Sequence, residues 1–112
     1  MLLRNKHLKK INALYNNTKP DKKFFKKHGF EPCETYSLDY STLCFFYTRF
    51  KVFVKRYGKV VEDEHNLVPR IKKIIKRLKK LIKKYDTLEE ESMKEYNDLM
   101  NDIVRILPEC WW

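Results

Sequence analysis

Apolar residues recur at three- and four-residue intervals through most of the chain, the period of a helix with one buried face. Leu3, Leu8, Ile11, Leu14 and Tyr15 form a rough stripe, predicting a first helix over residues 2–16 that ends at Asn16-Asn17. Thr18-Lys19-Pro20-Asp21 then reads as a cap, with proline in the first turn and an acid to complement the helix dipole. A short helix follows to His28, where Gly29 supplies the left-handed conformation that favours a stop. Phe24, Phe25 and Phe30 are its expected anchors.

Beyond a loop around Pro32, Ser37 can cap the helix with the strongest claim to the core. Leu43, Phe46, Tyr47, Phe50, Phe53, Val54 and Tyr57 lie on its face, and Gly58 is expected to close it. Phe45 and Val52 fall off that stripe, so more than half of the circumference is apolar, as in a helix at the middle of a bundle. Val60 and Val61 hint at a short extended piece, too little for a sheet. Pro69 is expected to open the next helix, along which Ile71, Ile74, Ile75, Leu78, Leu81, Ile82 and Tyr85 repeat the spacing. Thr87 and Glu90 make a capping box for the last helix, with Leu88, Tyr96, Leu99, Met100, Ile103 and Leu107 on its apolar side and Pro108 at its end. The fold class expected is all-α: a single domain over 1–112, a bundle of four to five helices ending in an antiparallel helical hairpin.

Composition narrows this further. At 112 residues, 43% of them apolar, the chain has the material for one core, and two glycines are too few for a strand-and-turn protein. No apolar run approaches the roughly 18–20 residues of a membrane span, and the start, Met1-Leu2-Leu3-Arg4, lacks the apolar stretch of a signal peptide. Cys33, Cys44 and Cys110 are odd in number and widely spaced, a pattern of free thiols suited to a reducing intracellular compartment.

Charge is the unusual quantity, with 25 Lys and Arg against 15 Asp and Glu for a net +10. Every position of 70–84 outside the apolar stripe is basic: Arg70, Lys72, Lys73, Lys76, Arg77, Lys79, Lys80, Lys83 and Lys84. The following helix carries Glu89, Glu90, Glu91, Glu95, Asp98 and Asp102 against Lys94 and Arg105. In a hairpin, Arg70, Arg77 and Lys79 flank the stripe and can reach those acids. Exposed pairs are worth about 0–1 kcal/mol each, so pairing fixes register more than it stabilises.

Lys73, Lys76, Lys80, Lys83 and Lys84 point the other way. That ridge, with Lys22, Lys23, Lys26 and Lys27 as a second patch, is the electrostatic footprint of phosphate-backbone binding. Lysine suits contacts without base readout, which would call for Arg, Asn or Gln. A solvated, internally paired face is the plain alternative, and an anionic membrane surface or a partner's acidic groove is a third.

Support for chemistry is thin. His7, His28 and His65 include no ligand pair at zinc spacing with the cysteines, although a fold can assemble Cys33, Cys44, Cys110 and a histidine. Glu62-Asp63-Glu64-His65 reads as an inter-helix loop, and no phosphate loop or nucleophile elbow occurs. The expectation is a non-enzyme without metal or cofactor.

Gly29-Phe30, Glu34-Thr35-Tyr36-Ser37-Leu38-Asp39-Tyr40, Arg49-Phe50-Lys51 and Trp111-Trp112 together resemble a group of small bacteriophage-encoded proteins. In that group a Gly-Phe turn precedes acid-Thr-Trp-Ser-Leu-Asp, an apolar helix carries Pro-Arg-Leu-Lys, and the sequence closes on Trp-Trp. Here Tyr36 replaces the tryptophan and Thr48 the proline, and 70–84 is basic where the group is acidic. The group has no assigned activity, so the resemblance implies a viral source and a fold. Physically, Ser37 and Asp39 suit a cap and first turn, while Glu34, Asp39 and Arg49 can instead form a polar cluster beside the tryptophans. Folded back, Trp111 and Trp112 would bury about 150–250 Å² each as an aromatic lid; otherwise they make a sticky interface.

These residues lead to a small binding protein of the host cytoplasm that holds nucleic acid without sequence preference on Lys73, Lys76, Lys80, Lys83 and Lys84. The rival is a host-directed interaction or counter-defence factor acting through an aromatic surface that includes Trp111 and Trp112. Self-association is a third possibility.

Overall fold

The computed structural model describes residues 21–35, 38–60, 63, 65–84 and 90–111, and every regular element among them is helical. Four α-helices follow in chain order: α1 (Lys22–His28), α2 (Leu38–Val60), α3 (Leu67–Lys83) and α4 (Glu90–Ile106), with 3-10 turns at Pro32–Thr35 and Leu107–Glu109. The helix expected over 2–16, the Ser37 cap, Val61, the Thr87 end of the capping box and Trp112 lie outside the described residues. The chain divides into two compact units, Met1–Phe45 and Phe46–Trp112, with the boundary inside α2.

In the first unit, α1 is capped by Asp21, the last residue of the stretch expected to cap it, and Thr18, Lys19 and Pro20 lie outside the described residues. Asp21 has extended backbone (φ −116°, ψ 99°), and its Oδ1 accepts from the Phe24 amide at 3.0 Å. That placement satisfies an orphan donor of the first turn. Gly29 ends α1 as expected, at φ 81°, donating its N–H to the Phe25 carbonyl at 2.7 Å. Phe30 meets the Phe24 ring edge-on at 5.5 Å.

The loop after α1 is held by two buried acids. Glu31 Oε2 accepts from the Asp21 amide at 2.9 Å, Glu34 Oε2 accepts from the Glu31 amide at 2.7 Å, and the Ser41 hydroxyl donates to the Glu34 carbonyl at 2.7 Å. Carboxylates survive burial when backbone donors face them, so these acids tie the loop to both α1 and α2.

Helix α2 runs 23 residues, roughly 35 Å at the α-helical rise. It passes through Gly58 and reaches Val60, overturning both the expected stop and the hint of an extended piece. A glycine inside a helix costs only about 0.5–1 kcal/mol relative to alanine, which does not end a helix otherwise favoured. Tyr40, Leu43, Cys44, Tyr47, Phe50 and Tyr57 are buried along it, while Phe45 and Val52, off the stripe, are exposed. Within α2, Phe46 stacks on Phe50 and Phe53 on Tyr57, each pair one turn apart.

In the second unit, α3 begins at Leu67, two residues before Pro69. The Asp63 carboxylate supplies the start: Oδ1 accepts from the Leu67 amide at 2.6 Å and Oδ2 from the Val68 amide at 2.9 Å. Pro69 therefore sits in the first turn, where a missing N–H is harmless. Asn66 bridges into the helix with left-handed backbone, φ 53°. Leu67, Ile71, Ile74, Leu78, Leu81 and Ile82 are buried on α3, and Leu99, Ile103 and Ile106 on α4, with the two helices in contact. Helix α4 gives way at Pro108 as expected, through the 3-10 turn, but Leu107 is exposed rather than part of the apolar side.

Leu78 is fully buried and Val104 is 66% exposed. Leu78→Ala is expected to cost about 2–5 kcal/mol in urea unfolding, and Val104→Ala to stay within about 0.5 kcal/mol.

Candidate nucleic-acid interface

The basic face follows from how α3 buries its stripe. Once Ile71, Ile74, Leu78, Leu81 and Ile82 are inside, every intervening position is left outside or half outside. Lys72, Lys73, Lys76, Lys79, Lys80, Lys83 and Lys84 are all exposed. All five lysines of the expected ridge therefore reach solvent on one helix. Lys80 and Lys83 lie in its last turn, where cations complement the negative end of the dipole.

Two arginines of α3 turn to α4 instead. Arg70 makes a two-pronged bond to Glu109, Nη1 to Oε1 at 2.8 Å and Nη2 to Oε2 at 2.7 Å. Arg77 Nη1 binds Asp102 Oδ2 at 2.5 Å. Seven residues forward on α3 meet seven residues back on the α4 side, so the two helices run antiparallel. The expectation for Arg70 and Arg77 holds, whereas Lys79 is exposed with no ion pair among the described residues.

Between these pairs lies an open groove of about 270 Å³. Ile74 and Ile106, both buried, form its floor, and Arg70, Lys73, Arg77, Asp102 and Arg105 line it. Sequence reasoning counted Arg105 only as a minor countercharge of the acidic helix. The signal that points to it is its spacing, three residues beyond Asp102 and four before Glu109.

The hydrogen bond from Arg70 holds the Glu109 carboxyl below its ordinary value; desolvation opposes this, and the charges of Arg70 and His65 add to it. The same bond raises Arg70. Burial, then the Glu109 charge, pushes the Cys110 thiol up, and Cys110 Sγ donates to the Ile106 carbonyl at 3.4 Å. Such a thiol is protonated at neutral pH and is a poor nucleophile. Cys44 is fully buried.

Glu34 is buried in the loop of the first unit, Asp39 sits in the first turn of α2, where its Oδ1 accepts from the Tyr40 amide, and Arg49 is half-buried farther along that helix. Trp111 is 78% exposed and forms no lid. Val104 and Leu107, also exposed, precede it along α4 and the 3-10 turn, an apolar surface that sequence reasoning missed because Leu107 was assigned to the core. Among the described residues no His, Cys, Asp and Glu gather into a metal-binding group, and no helix is long and apolar enough to cross a membrane. No protein family matches the chain, and no match was found among curated proteins or solved structures.

The lowered Glu109 carboxyl gives a pH dependence of definite sign. Its contribution to stability is whole above the ordinary value of 4.5 and is lost as the pH falls through the lower value of the folded state. A carbon-detected NMR titration is expected to place the Glu109 midpoint below 4.5, and Arg70→Gln to return it toward that value.

Proposed function

We propose that this chain is a non-enzymatic binding protein, a small helical bundle closed by the α3–α4 hairpin, that holds nucleic acid on the lysine ridge of α3. Lys73, Lys76, Lys80, Lys83 and Lys84 contact backbone phosphates and read no bases. The observation that carries this reading is that Arg70 and Arg77 of α3 engage acids on the α4 side, while Lys73, Lys76, Lys80, Lys83 and Lys84 are all exposed. The net charge of +10 supplies long-range attraction to a polyanion. The resemblance to phage-encoded proteins makes the host cytoplasm the proposed setting and a role as a phage accessory factor the proposed use.

One observation favours a second reading. Val104, Leu107 and Trp111 are exposed together near the end of α4, and aromatic anchors flanked by aliphatic residues are what a protein partner buries. In that reading the chain is a host-directed interaction factor, and its binding is insensitive to salt.

The two readings separate by anisotropy of labelled duplex DNA, single-stranded DNA and RNA at low and moderate salt. Wild type is expected to bind with an affinity that falls by about 0.9 log unit per log unit of salt for each duplex phosphate neutralised. Lys73, Lys76, Lys80 and Lys83 all changed to Gln are expected to flatten that slope, with helicity by circular dichroism intact. Absence of binding by wild type at low salt would sink the ridge reading. A host-protein pull-down lost on Trp111→Ala would then carry the second.

A further inference from the structure

The α3–α4 seam has a repeating order of charges with one level out of place. Arg70, Lys73, Arg77, Lys80 and Lys84 follow one another on α3 at alternating steps of three and four, one flank of the helix. Glu95, Asp98, Asp102, Arg105 and Glu109 do the same along α4 and the turn after it. The observed pairs Arg70–Glu109 and Arg77–Asp102 fix the antiparallel register. Carried along the helices, that register sets Lys84 level with Glu95 and Lys80 level with Asp98. It also sets Lys73 level with Arg105, cation against cation.

That one like-charge level coincides with the groove. Lys73 on α3 and Arg105 on α4 both line it, between the Arg70–Glu109 and Arg77–Asp102 pairs in sequence, and Asp102 is the single acid in the lining. Arg70 and Arg77 are positioned by their own acids, so they contribute field without having to be ordered by a ligand. Arg105 lies in the last turn of α4, where a cation complements the dipole, with Asp102 and Glu109 three and four residues away; both acids are already engaged by Arg77 and Arg70.

We propose that the groove is a binding site for a phosphate group, which neutralises the Lys73–Arg105 level by accepting hydrogen bonds from the Lys73 ammonium and the Arg105 guanidinium. A tetrahedral oxyanion suits the site: it offers several acceptors, an arginine fork engages two of them, and the volume exceeds what one phosphate fills. The phosphate has two sources. It belongs to a nucleic-acid backbone, in which case the groove deepens and rests on the ridge reading, Lys73 being common to both. Otherwise it belongs to a free phosphate compound.

Thermal unfolding in sodium pyrophosphate, against sodium chloride of equal ionic strength, tests the site. Wild type is expected to gain about 5 °C over the chloride control at ten times the dissociation constant. Lys73→Gln with Arg105→Gln is expected to lose that gain. Arg105→Glu is the sharper variant: it reverses the charge on the α4 side of the groove and is expected to show no response to pyrophosphate. A pyrophosphate gain that persists in Arg105→Glu, or a wild-type gain no larger than that of chloride, overturns the proposal.

Oligonucleotide anisotropy then separates the sources. If the phosphate is that of a strand, Lys73→Gln with Arg105→Gln weakens single-stranded binding about tenfold, and pyrophosphate competes. If pyrophosphate stabilises wild type and no oligonucleotide binds, the groove stands with a free phosphate as its ligand and the ridge reading fails. If oligonucleotides bind through Lys76, Lys80 and Lys83 with no pyrophosphate effect, the ridge stands and the groove falls.

Discussion

Ile71, Ile74, Leu78 and Leu81 on α3 and Leu99, Ile103 and Ile106 on α4 leave water together, and that shared burial governs what the rest of the second unit can be. Each side chain fully buried is worth about 1.5–3 kcal/mol, far more than an exposed ion pair, so the apolar rows set the distance and phase of the helices. The charged rows beside them then inherit a register. Arg70 and Arg77 find acids because the core has already brought Glu109 and Asp102 to their level. By the same geometry Lys73 and Arg105 are brought to one level, between acids that Arg70 and Arg77 already engage. The groove is thus a by-product of packing that the sequence has filled with cations.

The periodic parts of this architecture were legible in advance. Six apolar residues at helical spacing leave α3 no other amphipathic form, and the exposure of its lysines follows without further information. On α2, Leu43, Tyr47, Phe50 and Tyr57 of the expected stripe are buried, whereas Phe45 and Val52, which pointed to a helix at the middle of a bundle, are exposed. Helix ends were not legible to the same degree. Gly58 was expected as a stop and lies inside α2, and Pro69 was expected as a start and lies in the first turn. An end is decided by one or two hydrogen bonds among near-equal competitors. The carboxylate that caps α3 comes from Asp63, four residues ahead of Leu67, beyond the spacing that a capping rule inspects.

The candidate site divides along the same line. Five lysines on one helix face are a property of one element, and one element's periodicity displays them. The groove is a property of two elements and of the register between them. Arg105 therefore looked like a minor charge in an acidic helix until the pairing of Arg77 with Asp102 set its level. Trp111 shows a further limit, since nothing in its own neighbourhood of sequence said whether it would be covered, and it is not. Glu31 carried no signal in the sequence, yet its carboxylate and that of Glu34 accept backbone amides and bind the loop together.

Arginine and lysine are not mixed at random on this surface. The residues that pair across the seam, Arg70 and Arg77, are arginines, as is Arg105 in the groove, whereas the outward ridge is built from lysine alone. A guanidinium keeps its charge under cellular conditions, but an ammonium can be acylated and lose it. Acetylation along the ridge would therefore erase outward charge one step at a time while the pairs that set the helix register stayed intact. That lysine face is chemically adjustable without cost to the scaffold that presents it.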